Sequence, residues 1–527
     1  MKRSYDAVII GGGHNGLTSA AYLAKAGKSV LLLEKRHIVG GASATEEFAP
    51  GIRNSSCSFV VGYLRPEIIR DLGLESHGLD IRQIKNEFFP VADGRYMLLT
   101  DDADANEREI AKFSDRDNEG LRRLRDMLTP LSEFFGRRMQ RPPPTAGSGW
   151  RGKLEWARIG IDVMRLSRQE RFRLAQIMTQ SANSLLQRYL ESDEAKLPYA
   201  FGAISGNMND LDTPTTAYRL LHGQLCEVNG VRGAWGLPIG GMGAISDAIR
   251  KAAEGYGAEV RTSAPVRRVL VANGMATGVE LESGERIAAR AVLSNADPKR
   301  TFLGLVDKSD LEPTFREDIE AYRMESGTFR MNFAISELPD FTCLPGRDRG
   351  PQHEGMIYVL PSIDYIAEAF SCTRAGNWSA APILEAVIPS LHDDTLAPPG
   401  VHVMSISARY FPRHLSDGRD WDDYREQAAD CIIDTFNAYA PNFRSSIIAQ
   451  QALSPLDLER EYGLTGGDIA HGQYELHQLF TMRPHPDAAG CATPIRRLFL
   501  CGAGTHPGGG VSGIPGFHAA RLALRSL

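Results

Sequence analysis

The chain has 527 residues, too many for one simple core and enough for two or three domains. An apolar share of 43% and a charged share of 24% are those of an ordinary globular protein, and a net charge of −6 gives no basic field that would recommend nucleic acid as a partner. No apolar run is long enough for a spanning helix, and a first strand at Tyr5 leaves no room for a signal peptide, so a cytoplasmic protein is the default expectation.

Residues 5–10 form a short apolar run suited to a buried parallel strand. Gly11 then suits a tight turn, Gly13 lets the backbone approach a pyrophosphate, and Gly16 lets the following helix lie close to the strand. That helix is predicted over residues 15–25, with Leu17, Ala20, Ala21, Leu23 and Ala24 turned to a sheet and Gly27 as its stop. Its free N–H groups and its positive dipole end would face the phosphates, with His14 and Asn15 among the expected cofactor contacts. Residues 29–33 give a second strand, and Glu34 stands at its end, eighteen residues beyond Gly16. A carboxylate there accepts hydrogen bonds from a ribose diol and repels a 2′-phosphate. Strand, turn, helix, strand and acid fall in the order of a dinucleotide site. Soon after Glu34 and Lys35 come Gly40, Gly41, Ala42 and Thr45. This stretch resembles the GG motif of FAD-dependent oxidoreductases, where a second glycine pair and nearby polar residues hold the flavin's diphosphate and ribitol. The expected cofactor is therefore FAD.

Residues 65–73 read as a short helix, and 101–126 are polar and helical in pattern. A break at 141–149, rich in Pro and Gly, cannot continue a helix. From 150 to about 190 the pattern is helical again, with Leu154, Ala157, Ile161 and Met164 spaced for one face. Between Arg137 and Arg173 ten Lys or Arg stand against three Asp or Glu. Such a segment suits peripheral association with an anionic membrane surface. A helical domain packed on the body with a solvated rim is preferred, because Asp162 and Glu170 interrupt the face. Residues 237–242 lead into a helix that ends at Gly255 or Gly257. Strands at 259–261, 266–271 and 276–281, with turns at Asn273-Gly274 and Ser283-Gly284, then read as a meander, and 291–296 as a buried strand. Strands at 329–335, 355–360, 382–388 and 401–408 suit a substrate-facing antiparallel sheet, followed by a helix at 420–438, a last buried strand at 498–501 and a closing helix at 519–524.

The seven cysteines are scattered, with no CxxC spacing, which argues against a disulfide framework, a zinc site or a redox dithiol. Near the C-terminus stand Gly502, Gly504, Thr505, His506, Gly508, Gly509, Gly510, Val511 and Ser512. Together with residues 1–42, 237–242, 466–472 and Arg483-Pro484, this turn resembles the phytoene-desaturase-like FAD oxidoreductases, which include the carotenoid desaturases. Within that family it resembles most the branch holding desaturase-like β-carotene ketolases and pyridine nucleotide-disulphide oxidoreductase domain-containing protein 2. The resemblance implies an α/β fold: a two-dinucleotide-binding, Rossmann-like FAD domain (1–100, 226–300 and 431–527) with a helical subdomain (101–225) and an inserted mixed β-sheet substrate domain (301–430). It also implies that the backbone at Val266 meets adenine, and that the substrate is a hydrophobic, isoprenoid or carotenoid-like small molecule from which a hydride passes to flavin N5.

The backbone N–H groups at 511–513 would then stabilise negative charge on the reduced flavin. The ribitol falls to backbone or to Thr505, since no acidic residue stands in this last turn. His506 is the candidate general base, with a local turn-shaping role as its alternative. His14 is expected to pack near the pyrophosphate or the flavin edge, and His471 to wall the cavity. Other readings stay open: a carotenoid ketolase, an amine oxidase of the same fold, or a flavin-binding regulatory homologue with little turnover. Amine oxidases usually frame the flavin with paired aromatics, and the C-terminal stretch offers only Phe517.

Overall fold

The computed structural model describes residues 4–91, 93–145 and 149–527, so residues 146–148 of the expected break lie outside the described residues. The first strand, β1 (Ser4–Ile10), is buried on both faces. It pairs in parallel with β2 (Val30–Leu33) on one side and with the Arg286–Ser294 strand on the other. Glu259–Arg261 extends the sheet beyond β2, and Leu498–Leu500 adds to the far half of Arg286–Ser294, again in parallel. The near half of that strand carries the antiparallel meander Met275–Leu281 and Val266–Ala272.

Two cores sandwich this sheet, because a strand sends alternate side chains to opposite faces. Ala7 and Ile9 of β1 pack with helices α1 (His14–Lys25), Gly243–Gly255 and Ile514–Ala523. Val8 and Ile10 pack with the meander and with Phe302, Phe315 and Ile319. The closing helix begins at Ile514, earlier than the periodicity placed it, since Pro515 takes the first turn, where its missing N–H costs nothing.

A second, seven-stranded sheet runs Ile447–Leu453, Phe329–Ile335, His402–Ala408, Leu384–Val387, Met356–Val359, Glu87–Pro90, Tyr96–Leu99. It is antiparallel except where Met356–Val359 runs parallel to Glu87–Pro90. Its membership departs from the sequence division, for it draws strands from before residue 100 and after residue 430. Glu87–Pro90 pairs with Met356–Val359 and Ile447–Leu453 with Phe329–Ile335, partners far along the chain that local pattern cannot reveal. One face of the sheet packs on the Trp421–Asn437 helix through Phe88, Phe329, Met331, Phe333, Ile357, Leu384 and Ile406. The other face turns toward the helical subdomain, which is built on Asp117–Met139, Arg168–Thr179, Ala182–Gln187 and Asp193–Ile204.

The Gly149–Arg165 helix lies outermost. Val163 packs toward the body, while Asp162 turns inward to Arg138 and so leaves the outer face uninterrupted. Leu154, Ala157, Ile161 and Met164, the stripe expected to pack, face solvent.

Candidate active site

The turn after β1 is held from behind by Glu34. One of its carboxylate oxygens accepts from the Gly12 N–H at 2.7 Å and the other from the Arg36 N–H at 2.8 Å. The Gly40 N–H donates to the Gly12 carbonyl at 2.8 Å, so the two N-terminal glycine segments form one wall. Gly16 lies behind it. A Cβ there would stand 2.2 Å from the Gly11 carbonyl oxygen, so only glycine lets α1 approach the turn this closely.

A cavity of about 630 Å³ opens on this wall. Gly11, Gly13, His14 and Asn15 line it, with Glu34, Lys35, Gly40, Gly41, Ala42 and Val266. From the other end of the chain come Gly510 and Val511. The tertiary structure thus brings both termini to a single channel.

Other candidates lie off the lining. The Thr45 hydroxyl accepts from the Gly243 N–H at 2.8 Å, which ties the second glycine segment to the following helix. Gly502 and Gly504 pack against Asn295 and Pro298, where a Cβ would come within 2.7 and 2.4 Å. The Thr505 hydroxyl donates to the Gly502 carbonyl, so the ribitol role suggested for Thr505 is corrected to a local one. The Ser512 N–H donates to the Gly510 carbonyl and its hydroxyl accepts from the Ile514 N–H, so Ser512 shapes the turn.

His506 does not reach the cavity. Its Nε2 lies 3.4 Å from the Arg138 carbonyl oxygen and its ring packs on Phe480. Burial first, then His518, pulls its imidazole down to about 3. The general-base expectation is corrected accordingly: the ring packs between distant segments instead of facing the cavity. His14 and His471 do line the cavity, each with one buried ring nitrogen that has no partner.

The loop carrying His471 has its own support. Asp468 accepts from the Ala470 and Gly472 N–H groups, at 2.7 and 3.0 Å. Arg483, fully buried, donates to the carbonyls of Ala470 at 2.7 Å and Ala503 at 3.1 Å. This one guanidinium clamps the 468–472 loop to the last strand-turn, a physical reason for those two sequence segments to occur together.

Beyond Gly510 the cavity continues into a chamber whose residues sequence reasoning missed. Tyr63 packs on Gly510 and Tyr474 on Gly508 and Gly509. The His222 ring lies between them, 5.9 Å from Tyr63 and 5.3 Å from Tyr474. The shortage of aromatics at the C-terminal turn is therefore made good by distant segments, while Phe517 packs on Tyr22. Phe59, Phe201, Trp235 and Tyr358 supply apolar wall, and Arg219, Ser205, Arg409, Glu385 and Glu87 a polar one. These five residues make one side of the chamber polar. Arg409 and Glu385 form a buried ion pair. Glu87 has no hydrogen-bond partner among the described residues, and burial, then the nearby Glu385 charge, push its carboxyl up to about 7. A signal was present: LEAV (384–387) and FRMNFAI (329–335) carry polar residues at alternate positions of otherwise apolar strands. Period-two alternation places Glu385, with Arg330 and Asn332, on the face opposite the helix-packed core.

The channel's chemistry suits a dinucleotide. His14 Nε2, Arg36 Nη1, Arg300 Nε and His471 Nδ1 are buried polar atoms without hydrogen-bond partners among the described residues, and all four residues line the cavity. Buried polar groups need partners, and a cofactor rich in phosphate and hydroxyl oxygens supplies them. A parallel sheet with a glycine turn at its carboxyl edge, joined to a C-terminal turn over one cavity, defines an FAD-dependent oxidoreductase.

Comparison with known proteins agrees. The chain belongs to the flavin containing amine oxidoreductase family, whose pattern matches residues 16–320. It is 36% identical over 549 aligned positions to pyridine nucleotide-disulfide oxidoreductase domain-containing protein 2 of Rattus norvegicus, covering 100% of this chain and 94% of that protein. It is 26% identical to a phytoene desaturase (lycopene-forming) of Pantoea ananas, over 98% of each chain. Among solved structures, a putrescine oxidase bound to putrescine aligns with a TM-score of 0.61 at 15% identity, over 99% of this chain and 98% of that one, which shows the shared fold.

Proposed function

We propose that the enzyme dehydrogenates a small substrate with an apolar, isoprenoid-like body. One observation carries this reading: the cavity beginning at the dinucleotide turn is continuous with a chamber walled by Phe59, Phe201, Trp235 and Tyr358. FAD, when bound, accepts a hydride from a substrate carbon. The chain's own residues do the rest. Aromatic walls orient the substrate and exclude water. Glu87, held near 7, is matched to take the proton that leaves the neighbouring carbon. Likeness to a phytoene desaturase supports a hydrocarbon body. Arg219 and Arg409 on the chamber wall disfavour a cationic amine, which places amine oxidation second.

The test is anaerobic mixing of the FAD-loaded protein with isoprenoid compounds and, separately, with amines, following flavin absorbance. Bleaching by an isoprenoid supports the proposal. Bleaching by amines alone refutes it, and bleaching by neither moves the reading to a flavin-holding protein with little turnover.

Peripheral membrane association is proposed from the outer helix. No helix among the described residues is long and apolar enough to cross a membrane. Yet Trp156, Ile161 and Met164 are exposed on it, Met164 to 67%, along with Lys153, Arg158 and Arg165 of the same helix. An apolar stripe rimmed by cations suits an anionic bilayer surface. Co-sedimentation with phosphatidylserine vesicles, lost in Met164→Glu and absent with phosphatidylcholine, is the expected result; equal behaviour of wild type and variant counts against it.

A further inference from the structure

We propose that the substrate carries an anionic group, of carboxylate type, received by Arg219 on the chamber wall. This rests on the reading of the chamber as the place where an apolar-bodied substrate is oxidised, and it adds the chemistry of the other end of that substrate.

Arg219 belongs to the Thr216–Leu221 turn, is 6% exposed and lines the cavity. Its partners are all neutral. Nη2 donates to the Ser205 carbonyl at 2.6 Å, Nη1 lies 2.8 Å from His222 Nδ1, and the guanidinium stacks 4.2 Å from the centre of the Tyr474 ring. Burial and the adjacent Arg219 charge hold His222 well below its ordinary range, so it stays uncharged. The buried Nε of Arg219 has no partner. No carboxylate among the described residues forms an ion pair with it, whereas Arg409 on the same wall has Glu385. A buried cation is costly unless an anion pairs with it, and a guanidinium presents a planar fork that matches a carboxylate.

The surroundings do not supply that anion. Ser205 links the two guanidiniums, its carbonyl to Arg219 and its hydroxyl to Arg409 Nη2 at 3.3 Å. Arg330, a third buried guanidinium, stacks on the wall residue Phe59. Against these cations the wall offers Glu385, already paired, and Glu87, which is only partly ionised near neutral pH because burial raises its carboxyl to about 7. The chamber is therefore apolar in its body and short of negative charge at one side, the complement of an amphipathic acid.

The test uses three probes with one isoprenoid body: citronellate, its methyl ester and citronellylamine. Each is titrated anaerobically into the FAD-loaded enzyme, with perturbation or bleaching of the flavin spectrum as readout. Wild type should bind citronellate at least about tenfold more tightly than the ester, and bind the amine least. Arg219→Met should bring acid and ester within about twofold, while Arg219→Lys keeps part of the preference. If Arg219→Met releases FAD, the Lys variant and the wild-type probe series decide. Equal binding of acid and ester by wild type, or no binding of the acid, overturns the proposal. So does an unchanged preference in Arg219→Met, or a lowered flavin potential in that variant with no change in preference, which would assign Arg219 to the charge of the reduced cofactor. Failure of the underlying reading looks different: the amine alone then bleaches the flavin.

Discussion

Gly16→Ala tests whether the closeness of α1 to the first turn holds the cofactor. In an isolated helix the change would favour the fold by about 0.5–1 kcal/mol, because alanine has less backbone freedom to lose. Here the new Cβ would stand 2.2 Å from the Gly11 carbonyl oxygen and 3.2 Å from Asn295 Cβ, against an ordinary contact of 3.4–4 Å. The nearer atom is backbone, so a side-chain rotation cannot relieve the overlap. Either α1 or the turn must move by about an ångström, at an overpacking cost of roughly 1–3 kcal/mol or more that exceeds the propensity gain. The turn that moves is the wall of the cofactor channel, so FAD affinity should fall about tenfold or more along with stability. Gly160→Ala is the control: Gly160 is exposed inside a helix with nothing within 4 Å of its new Cβ, and should stabilise by about 0.5–1 kcal/mol. Thermal melts of the apo proteins and FAD retention on gel filtration measure both. A Gly16→Ala protein that holds FAD and melts like wild type, or both variants shifting in the same direction, would refute the reasoning.

Gly13→Val would place its Cβ 2.7 Å from Asn295 Nδ2 on the channel lining, and should be purified without flavin; a fully yellow variant would count against the assignment of this turn. Glu87→Gln should alter the pH dependence of stability. The folded protein keeps a proton on Glu87 up to about 7 that the unfolded chain releases near 4.5, so wild-type stability falls as pH rises through that window, by about 3 kcal/mol in order of magnitude. The variant should lack this slope, melting above wild type at about pH 8 and less so at about pH 5; parallel melting curves across the range would refute it. Glu385→Ala leaves Arg409 buried without its carboxylate and should cost about 3–5 kcal/mol in denaturant melts, whereas a loss under about 1 kcal/mol would mean that the pair is hydrated.

Much of the cofactor half was legible in the sequence, for a physical reason. Gly11, Gly13, Gly16 and Gly27 act through backbone geometry, and Glu34 through a carboxylate bonded to that backbone, within one strand-turn-helix-strand unit, so their spacing carries the meaning. The meander turns at Asn273-Gly274 and Ser283-Gly284, and the strands at Phe329–Ile335 and Leu498–Leu500, were likewise encoded by neighbours in the chain. His506 misled because its place beside the glycines says nothing of which way its ring points. Packing against Arg138 and Phe480 turned it away from the cavity.

The chamber as an assembly was decided by tertiary structure. Tyr63, Glu87, Arg219 with His222, Glu385, Arg409 and Tyr474 come from separate segments of the chain, and apart from the alternation around Glu385 each has an ordinary local context. What unites them is that two sheets and a helical cap meet there, leaving polar side chains of alternating strands facing inward. The same holds for the outer helix, whose apolar stripe can be read from the sequence while its exposure cannot. Periodicity specifies which residues share a face; only the packed fold specifies what that face meets.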